Sequence, residues 1–296
     1  MQIDLLAIGE LVADLISTDY SEGLAEAKEF KMFQGGSPAN VAANVNYLGK
    51  NAVIISCVGN DGIGHFLLNE IKKIGLKDTL VQVSKTKPTS IILVGKSTRT
   101  PEFIAYRGAD FELEHIDNEL LKLSTIVHTT AFALSRQPSQ LVILDAFRTA
   151  RTFGKIISVD WNFAPSIWGE DDGKAVFEKV MALQPYLKVS LDDMERFFGC
   201  VESIEEYKAM LDNHPDSFIC LTCGKDGVWY REKNSGWHFQ PPTPISTVID
   251  TTGAGDAFWA GFMVALLEHQ SIKECITNAL LIASKKIQKQ GPLYYT

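Results

Sequence analysis

The stretch DTTGAGDAF, residues 250–258, runs directly into WAGFMVALLEH, residues 259–269. A helix apolar on nearly every side has to be buried, so the loop in front of it is pinned to a core. Gly253 and Gly255 permit backbone conformations with positive φ and leave amide N–H groups uncovered. A helix starting between Ala254 and Ala257 adds the positive end of its dipole, and the two features together make a cradle for phosphate-like oxygens. Asp256 is the odd member, because a carboxylate beside an anion site is repulsive unless it has another task. The task that fits is general base, taking a proton from a hydroxyl that attacks phosphorus. The plainer alternative is an acid that only caps its helix.

Working outward, short apolar runs alternate with helical stretches. DLLAIG (4–9), AVIISCVG (52–59), TIVHTTAF (125–132), KIISVDWN (155–162), YLKVS (186–190) and FICLTCG (218–224) read as buried strands. Between them, SPANVAANVNYLG (37–49) reads as a helix with Ser37 as cap, Pro38 in the first turn and Gly49 as stop. Residues 61–75, 138–154 and 190–199 follow the same plan. Such alternation predicts a mostly parallel sheet covered on both faces, an α/β fold of three layers. Two segments break it: residues 11–36 and 88–107 lack a helical period and read as β-hairpin material for a small accessory sheet or lid. No linker or repeat divides the 296 residues, so one large α/β domain with an inserted flap is expected over 1–296.

Composition excludes several classes. Hydrophobic residues are 46% and charged residues 22%, enough for a sizeable core. With 28 basic against 36 acidic residues the formal charge is −8, and no basic cluster suggests nucleic acid as a partner. The start MQIDLLAIGELVADLI lacks a basic leader region and is interrupted by Asp4, Glu10 and Asp14. No apolar run approaches the ~18 residues that cross a bilayer, so no membrane partner and a cytoplasmic setting are expected. The five cysteines are odd in number and scattered, and CLTC (220–223) places two of them on opposite faces of one strand without a second ligand pair, so thiols in a strand are the reading.

A second informative stretch is FQGGSPANVAANVNYLG, 33–49. Gly35 and Gly36 allow close approach to backbone, and Asn40 and Asn44 share a helix face near its N-terminal end, where an amide aimed into a cleft could bind sugar hydroxyls.

GGSPANVAANVNYLG, VGNDGIGHFLLNEIKKIGL (58–76) and DTTGAGDAF, in this order, resemble the PfkB family of carbohydrate kinases, of the ribokinase-like superfamily, over essentially the whole chain. The resemblance implies a three-layer α/β/α domain with a β-lid over a sugar site, ATP as donor, and Mg²⁺. It makes Asp256 the base and Gly253, Ala254 and Gly255 the hole for the transferred phosphoryl. Asp14 would hold sugar hydroxyls, with Gly35, Gly36 and Asn40 as the sugar-binding turn and helix, and Asp160 and Asn162 of DWNFAPSIW nearby. Arg107 in YRGAD resembles a lid arginine that reaches the substrate.

On the nucleotide side, LTCGKDG resembles the family's T-x-G-x-x-G turn, placing Thr222, Gly224 and Gly227 near ATP, with Lys188 and Ser190 at the K-x-[NS] position and Asn278 by the adenine. Asp193 stands where relatives carry a glutamate tied to hydrated Mg²⁺. Asp250 and Thr252 match positions whose carbonyls hold a monovalent cation such as K⁺. Ala164 stands where sugar-acid kinases often carry arginine, so a neutral ketose, most like fructose, is favoured over 2-keto-3-deoxygluconate and other PfkB sugars or nucleosides. A regulator descended from a kinase would lack the base, and a nicotinamide oxidoreductase would need a glycine fingerprint where LLAIGELVADL offers only Gly9. An exposed lid sheet could pair with its twin as a homodimer.

Overall fold

The computed structural model describes residues 2–19, 23–95 and 102–294. Apolar runs joined through helices cannot pair as hairpins, so they line up in parallel. The strands are β1 Ile3–Ile8, β2 Val12–Ser17, β3 Phe30–Gly35, β4 Ala52–Gly59, β5 Val81–Ser84, β6 Ile91–Val94, β7 Phe103–Tyr106, β8 Ser124–Thr130, β9 Ile156–Asp160, β10 Tyr186–Ser190, β11 Phe218–Thr222, β12 Val228–Arg231 and β13 Trp237–Gln240. The large sheet has the order β13-β12-β11-β10-β9-β8-β1-β4-β5. It is parallel from β11 to β5 and ends in the antiparallel hairpin β12–β13. All six apolar runs are strands of this sheet, in the three-layer α/β arrangement expected. The edge hairpin was not read from the sequence.

Alternation along β1 sends Leu6 and Ile8 to one core and Leu5 and Ala7 to the other. The first core carries Phe147, Phe177 and Phe197 from the helices Ser139–Thr152, Lys174–Met181 and Leu191–Phe198. The second carries Val41, Leu67, Trp259 and Ile276 from Ser37–Tyr47, Gly62–Lys73, Ala254–Leu267 and Ile272–Ile287. The apolar helix Ala254–Leu267 is buried from Ala257 to Ala265, as its composition requires, between its neighbours Ser37–Tyr47 and Ile272–Ile287.

The segments 11–36 and 88–107 form the second, four-stranded sheet, β3-β2-β6-β7; their residues 20–22 and 96–101 lie outside the described residues. Each segment is a pair of antiparallel strands, and a parallel β2–β6 pairing joins the two.

A buried polar knot fixes the helix Ala254–Leu267 against the sheet. Trp259 Nε1 donates to Ser158 Oγ at 2.9 Å, and His128 Nδ1, its register partner across β8 and β9, lies 3.0 Å from the same oxygen. Burial, helped by the Lys188 charge, depresses the His128 pKa to about 3, so the ring is neutral. Ser158→Ala would strand two buried polar nitrogens at once. We expect it to lower unfolding free energy by about 2–3 kcal/mol, above the ~1 kcal/mol of one ordinary hydrogen bond. Denaturant midpoints would test this, and a loss under ~1 kcal/mol would show that the knot does not fix the helix.

Candidate active site

Two helix starts meet beyond the carboxyl ends of the strands, the crevice where open α/β sheets bind ligands. Gly253 is the N-cap of Ala254–Leu267, with φ 72° and ψ 10°, a left-handed conformation that bends the chain into the first turn. The amides of Gly255 and Asp256 have no carbonyl four residues back within the helix, so they face the crevice as donors for an anion. From the second helix, Ser37 Oγ donates to Asp256 Oδ1 at 2.6 Å and Asn40 Nδ2 donates to Oδ2 at 2.9 Å. Ser37 therefore does not cap its helix, as the sequence suggested; Gly36 is the N-cap, and no side chain caps the helix there.

Asn40 is itself aimed. Its Oδ1 accepts from Tyr294 Oη at 3.1 Å and Gln34 Nε2 at 3.3 Å, which turns the amide nitrogen toward Asp256. Asn44, one turn on, is buried instead of facing a cleft, and its Oδ1 has no partner among the described residues.

Burial raises the Asp256 pKa to about 6, although the bonds from Ser37 and Asn40 and the Lys188 charge pull it down. Asp14, on β2, reaches about 7, through burial and then the negative charge of Asp256. Gly35 and Gly36 are required at this corner: a Cβ on Gly35 would lie 2.2 Å from Asp14 Oδ2, and one on Gly36 2.3 Å from the Glu10 carbonyl. The sequence-predicted Asp14, Gly35, Gly36, Asn40, Gly253, Ala254, Gly255 and Asp256 are thus brought to one corner.

Glu10 was missed as a site residue. Its Oε1 accepts from the Ser37 amide at 3.2 Å and its Oε2 from Thr130 Oγ1 at 2.8 Å, tying the helix start to β8. Burial pushes its pKa to about 8. The available signal was an acid interrupting an apolar run at the exit of the first strand.

Under Gly255 lies Lys188, whose Nζ bonds both oxygens of Asp160 at 2.8 Å, with both side chains buried. A Cβ on Gly255 would sit 3.4 Å from that ammonium. Asp160 is therefore engaged with the lysine beneath the loop, and Asn162 Oδ1 accepts from the Phe132 amide at 3.4 Å, joining the loops after β8 and β9. The Arg107 side chain is buried, its Cζ lies 4.2 Å from the Phe132 ring centroid, and it donates to Asp110 and to Ser135. It anchors the end of β7 to the large layer.

Farther along the crevice, Ser190 and Thr222 are register partners at the ends of β10 and β11, and Gly224 and Gly227 form the turn that follows, where Cys223 N bonds Gly227 O at 2.9 Å. Asp193 Oδ2 accepts from Ser190 in a capping box while Oδ1 meets Arg196 Nη1 at 3.4 Å, and burial raises its pKa to about 6. Asn278 lies apart from that turn, where Nδ2 donates to Gly261 O at 2.7 Å and ties the last two helices together. Asp250 accepts from the Thr252 amide at 2.9 Å, and its main-chain carbonyl accepts from Lys286 Nζ at 3.0 Å. Lys286 also was not singled out in the sequence.

A parallel sheet with a β-lid, and a glycine-flanked helix start beside a buried carboxylate, define a ribokinase-like phosphotransferase. The pfkB family carbohydrate kinase model matches residues 2–294, and the chain belongs to that family of ATP-dependent sugar kinases. It is 35% identical to an ATP-dependent 6-phosphofructokinase of Thermoanaerobacterium thermosaccharolyticum, covering 98% of this chain and 89% of that one. Among solved structures it is similar to Halothermothrix orenii fructokinase, at 34% identity and a TM-score of 0.84 over 95% of this chain and 98% of that one. It is also similar to an uncharacterized sugar kinase of Pyrococcus horikoshii in complex with ATP, at 27% identity and a TM-score of 0.85 over 98% and 94%.

The Lys188–Asp160 pair yields a stability prediction. Lys188→Met leaves a buried carboxylate uncompensated and should destabilise the fold by about 3–5 kcal/mol, most of which Asp160→Asn in the same chain should restore. Chemical denaturation of both variants checks this; equal loss in single and double variants would show that the pair is not coupled.

Proposed function

We propose that this kinase transfers the γ-phosphoryl of ATP to a primary hydroxyl of a small ketose, with fructose as the first candidate. The observation that carries the reading is the Asp256 carboxylate: buried, oriented by Ser37 and Asn40, with a pKa of about 6, and standing in the first turn of a helix whose free amides face the same crevice. At neutral pH it is largely ionised yet basic enough to accept the proton of an attacking hydroxyl. Asp14 holds a neighbouring sugar hydroxyl. The amides after Gly253 and the Lys188 ammonium near Gly255 stabilise charge developing on the transferred group. Closure of segments 11–36 and 88–107 keeps water from competing as acceptor.

Thr222, Gly224 and Gly227 line the ATP side in this reading, with Lys188 and Ser190 between the two substrates. Asn278, whose amide is spent on the Gly261 carbonyl, drops out of the adenine side of this reading. Asp193 would serve Mg²⁺ only through water, because its Oδ2 accepts from Ser190 and its Oδ1 meets Arg196. Mg²⁺ supplies charge neutralisation on the phosphates. K⁺ is not part of the reading, since Lys286 already donates to the Asp250 carbonyl. The whole chain works as one lidded unit in the cytoplasm. The lid's edge strand β7 exposes Ile104 and Tyr106, which supports a homodimer through the lid.

Fructose 6-phosphate is the second reading. The 35%-identical relative is named for it, and the exposed Arg136 lines a cavity of about 510 Å³ beside Ser135 and Trp168 that could take a second phosphate. Glu170 and Asp171 line the same cavity and oppose an anion, which favours the neutral sugar.

The test is ADP release with Mg-ATP over fructose, fructose 6-phosphate, tagatose, ribose, 2-keto-3-deoxygluconate and adenosine. Fructose should give the highest kcat/KM, and Asp256→Asn should lower kcat by the ~10²–10⁴-fold of a lost general base. Turnover of a different acceptor alone sinks the fructose reading, and a fully active Asp256→Asn sinks the base. The pH profile gives an independent check. The base works deprotonated, so kcat/KM should rise with pH through about 6 and fall away below it. Ser37→Ala removes a bond that holds the Asp256 pKa down, so its acid limb should move to higher pH by about one unit; an unmoved limb would assign it to another group.

A further inference from the structure

A second buried lysine lies beneath the phosphoryl-transfer loop, in the last turn of the helix Ile272–Ile287. Lys286 is 1% exposed, and its Nζ donates to the Asp250 carbonyl at 3.0 Å and lies 3.3 Å from Asp250 Oδ2. The same carboxylate accepts from the Thr252 and Gly291 amides at 2.9 and 3.0 Å, while the Ile249 and Asp250 amides donate to the Ile287 carbonyl at 2.7 and 3.2 Å. The entry to the loop is therefore tied, through the Ile249 and Asp250 amides and the Asp250 carbonyl and carboxylate, to the end of this helix and the turn after it. A Cβ on Gly253 would lie 3.9 Å from Lys286 Cε, so the lysine runs directly under the left-handed turn. Lys188 flanks Gly255 in the same way, and the two lysines bracket the three residues that face the transferred group.

The Asp250 carbonyl is one of the two positions at which a monovalent cation was expected, and the residues present do not fit one. An ion on that oxygen would stand close beside the lysine ammonium and be repelled by its like charge.

We propose that Lys286 is a tethered cation that replaces a bound K⁺: through the Asp250 carbonyl it holds residues 250–253 in the turn that presents the loop amides, and the enzyme works without a diffusible monovalent cation. The Lys286–Asp250 pair is neutral overall, so the lysine acts as a positioning residue, through the course of the loop. A lysine confers what an ion would, with no binding equilibrium to satisfy. The inference rests on assigning Gly253–Gly255 to the transferred phosphoryl, an assignment that Asp256→Asn tests separately.

Turnover and thermal midpoint are measured in potassium, sodium and tetramethylammonium chloride at equal ionic strength, for wild type and Lys286→Ala. Wild type should show the same kcat and the same midpoint in all three salts. Lys286→Ala should lose about 10–100-fold in kcat with little change in KM for the sugar, and potassium, unlike tetramethylammonium, should recover part of the kcat and raise the midpoint. A structural role alone would not make the variant respond to potassium. Several-fold stimulation of wild type by potassium overturns the proposal, and so does a Lys286→Ala enzyme that is fully active, or folded but indifferent to potassium. Should the alanine variant fail to fold, Lys286→Gln, which keeps a donor without the charge, takes its place under the same criteria. The midpoints need no substrate, so a wrong acceptor sugar cannot mimic failure.

Discussion

A carboxylate buried at the start of an apolar helix is unstable unless its surroundings are built for it, and Asp256 imposes that demand on this protein. Removing an ionised acid from water is costly without compensating bonds. Ser37 and Asn40 supply them from a helix more than two hundred residues away in sequence. Those donors must in turn be held, by Glu10 at the Ser37 amide and by Gln34 and Tyr294 at Asn40. Glu10 reaches β8 through Thr130, and the helix that carries Asp256 is fixed to β9 and β8 through Trp259, Ser158 and His128. The sheet thus sets the angle at which two helix starts meet, and their meeting sets the protonation behaviour of one acid.

Much of the frame was legible because its signals are local. Six strands of the large sheet, β1, β4 and β8 to β11, are continuous apolar runs, and most helices between them carry a regular period; the short edge strand β5, VQVS, is not such a run and was not read. Two other parts of the fold were less legible. The hairpin β12–β13 mixes Trp229, Arg231, His238 and Phe239 in an edge ribbon whose two faces meet different surroundings, so no clean alternation marks it. Ser37 has the residue type and position of a cap, and only the partner helix shows that its hydroxyl points elsewhere.

The site divides along the same line. Glycines that must lie against another group, such as Gly35 against Asp14, come with the motif that contains them, and they were found. Groups that act across the fold were not. Glu10, Lys286 and Tyr294 belong to no local pattern, and each matters because of what stands opposite it. Asp160 and Lys188 were named separately for sugar and nucleotide, yet their strands are neighbours and the two side chains form one buried pair. Spacing along a chain identifies residues that face one ligand together, and it says little about residues that face each other.

Charge balance in the crevice then bears on how the two substrates can enter. Asp160, Asp193 and Asp256 gather around the ammonium of Lys188, Asp14 adds its charge beside Asp256, and Lys286 is already paired with Asp250. A triphosphate approaching this excess of carboxylates meets repulsion that one lysine and the amides of one helix start do not offset. The raised pKa values of Asp14 and Asp193 relieve part of it, since both carry protons for some of the time near neutral pH. On the proposed reaction, a divalent ion on the phosphates of ATP would cancel the remainder, and it would arrive and leave with the nucleotide. A charge needed only during turnover is best brought by the substrate. One needed throughout, to keep the loop at Gly253 in its turn, is best built into the chain, and Lys286 stands at that place.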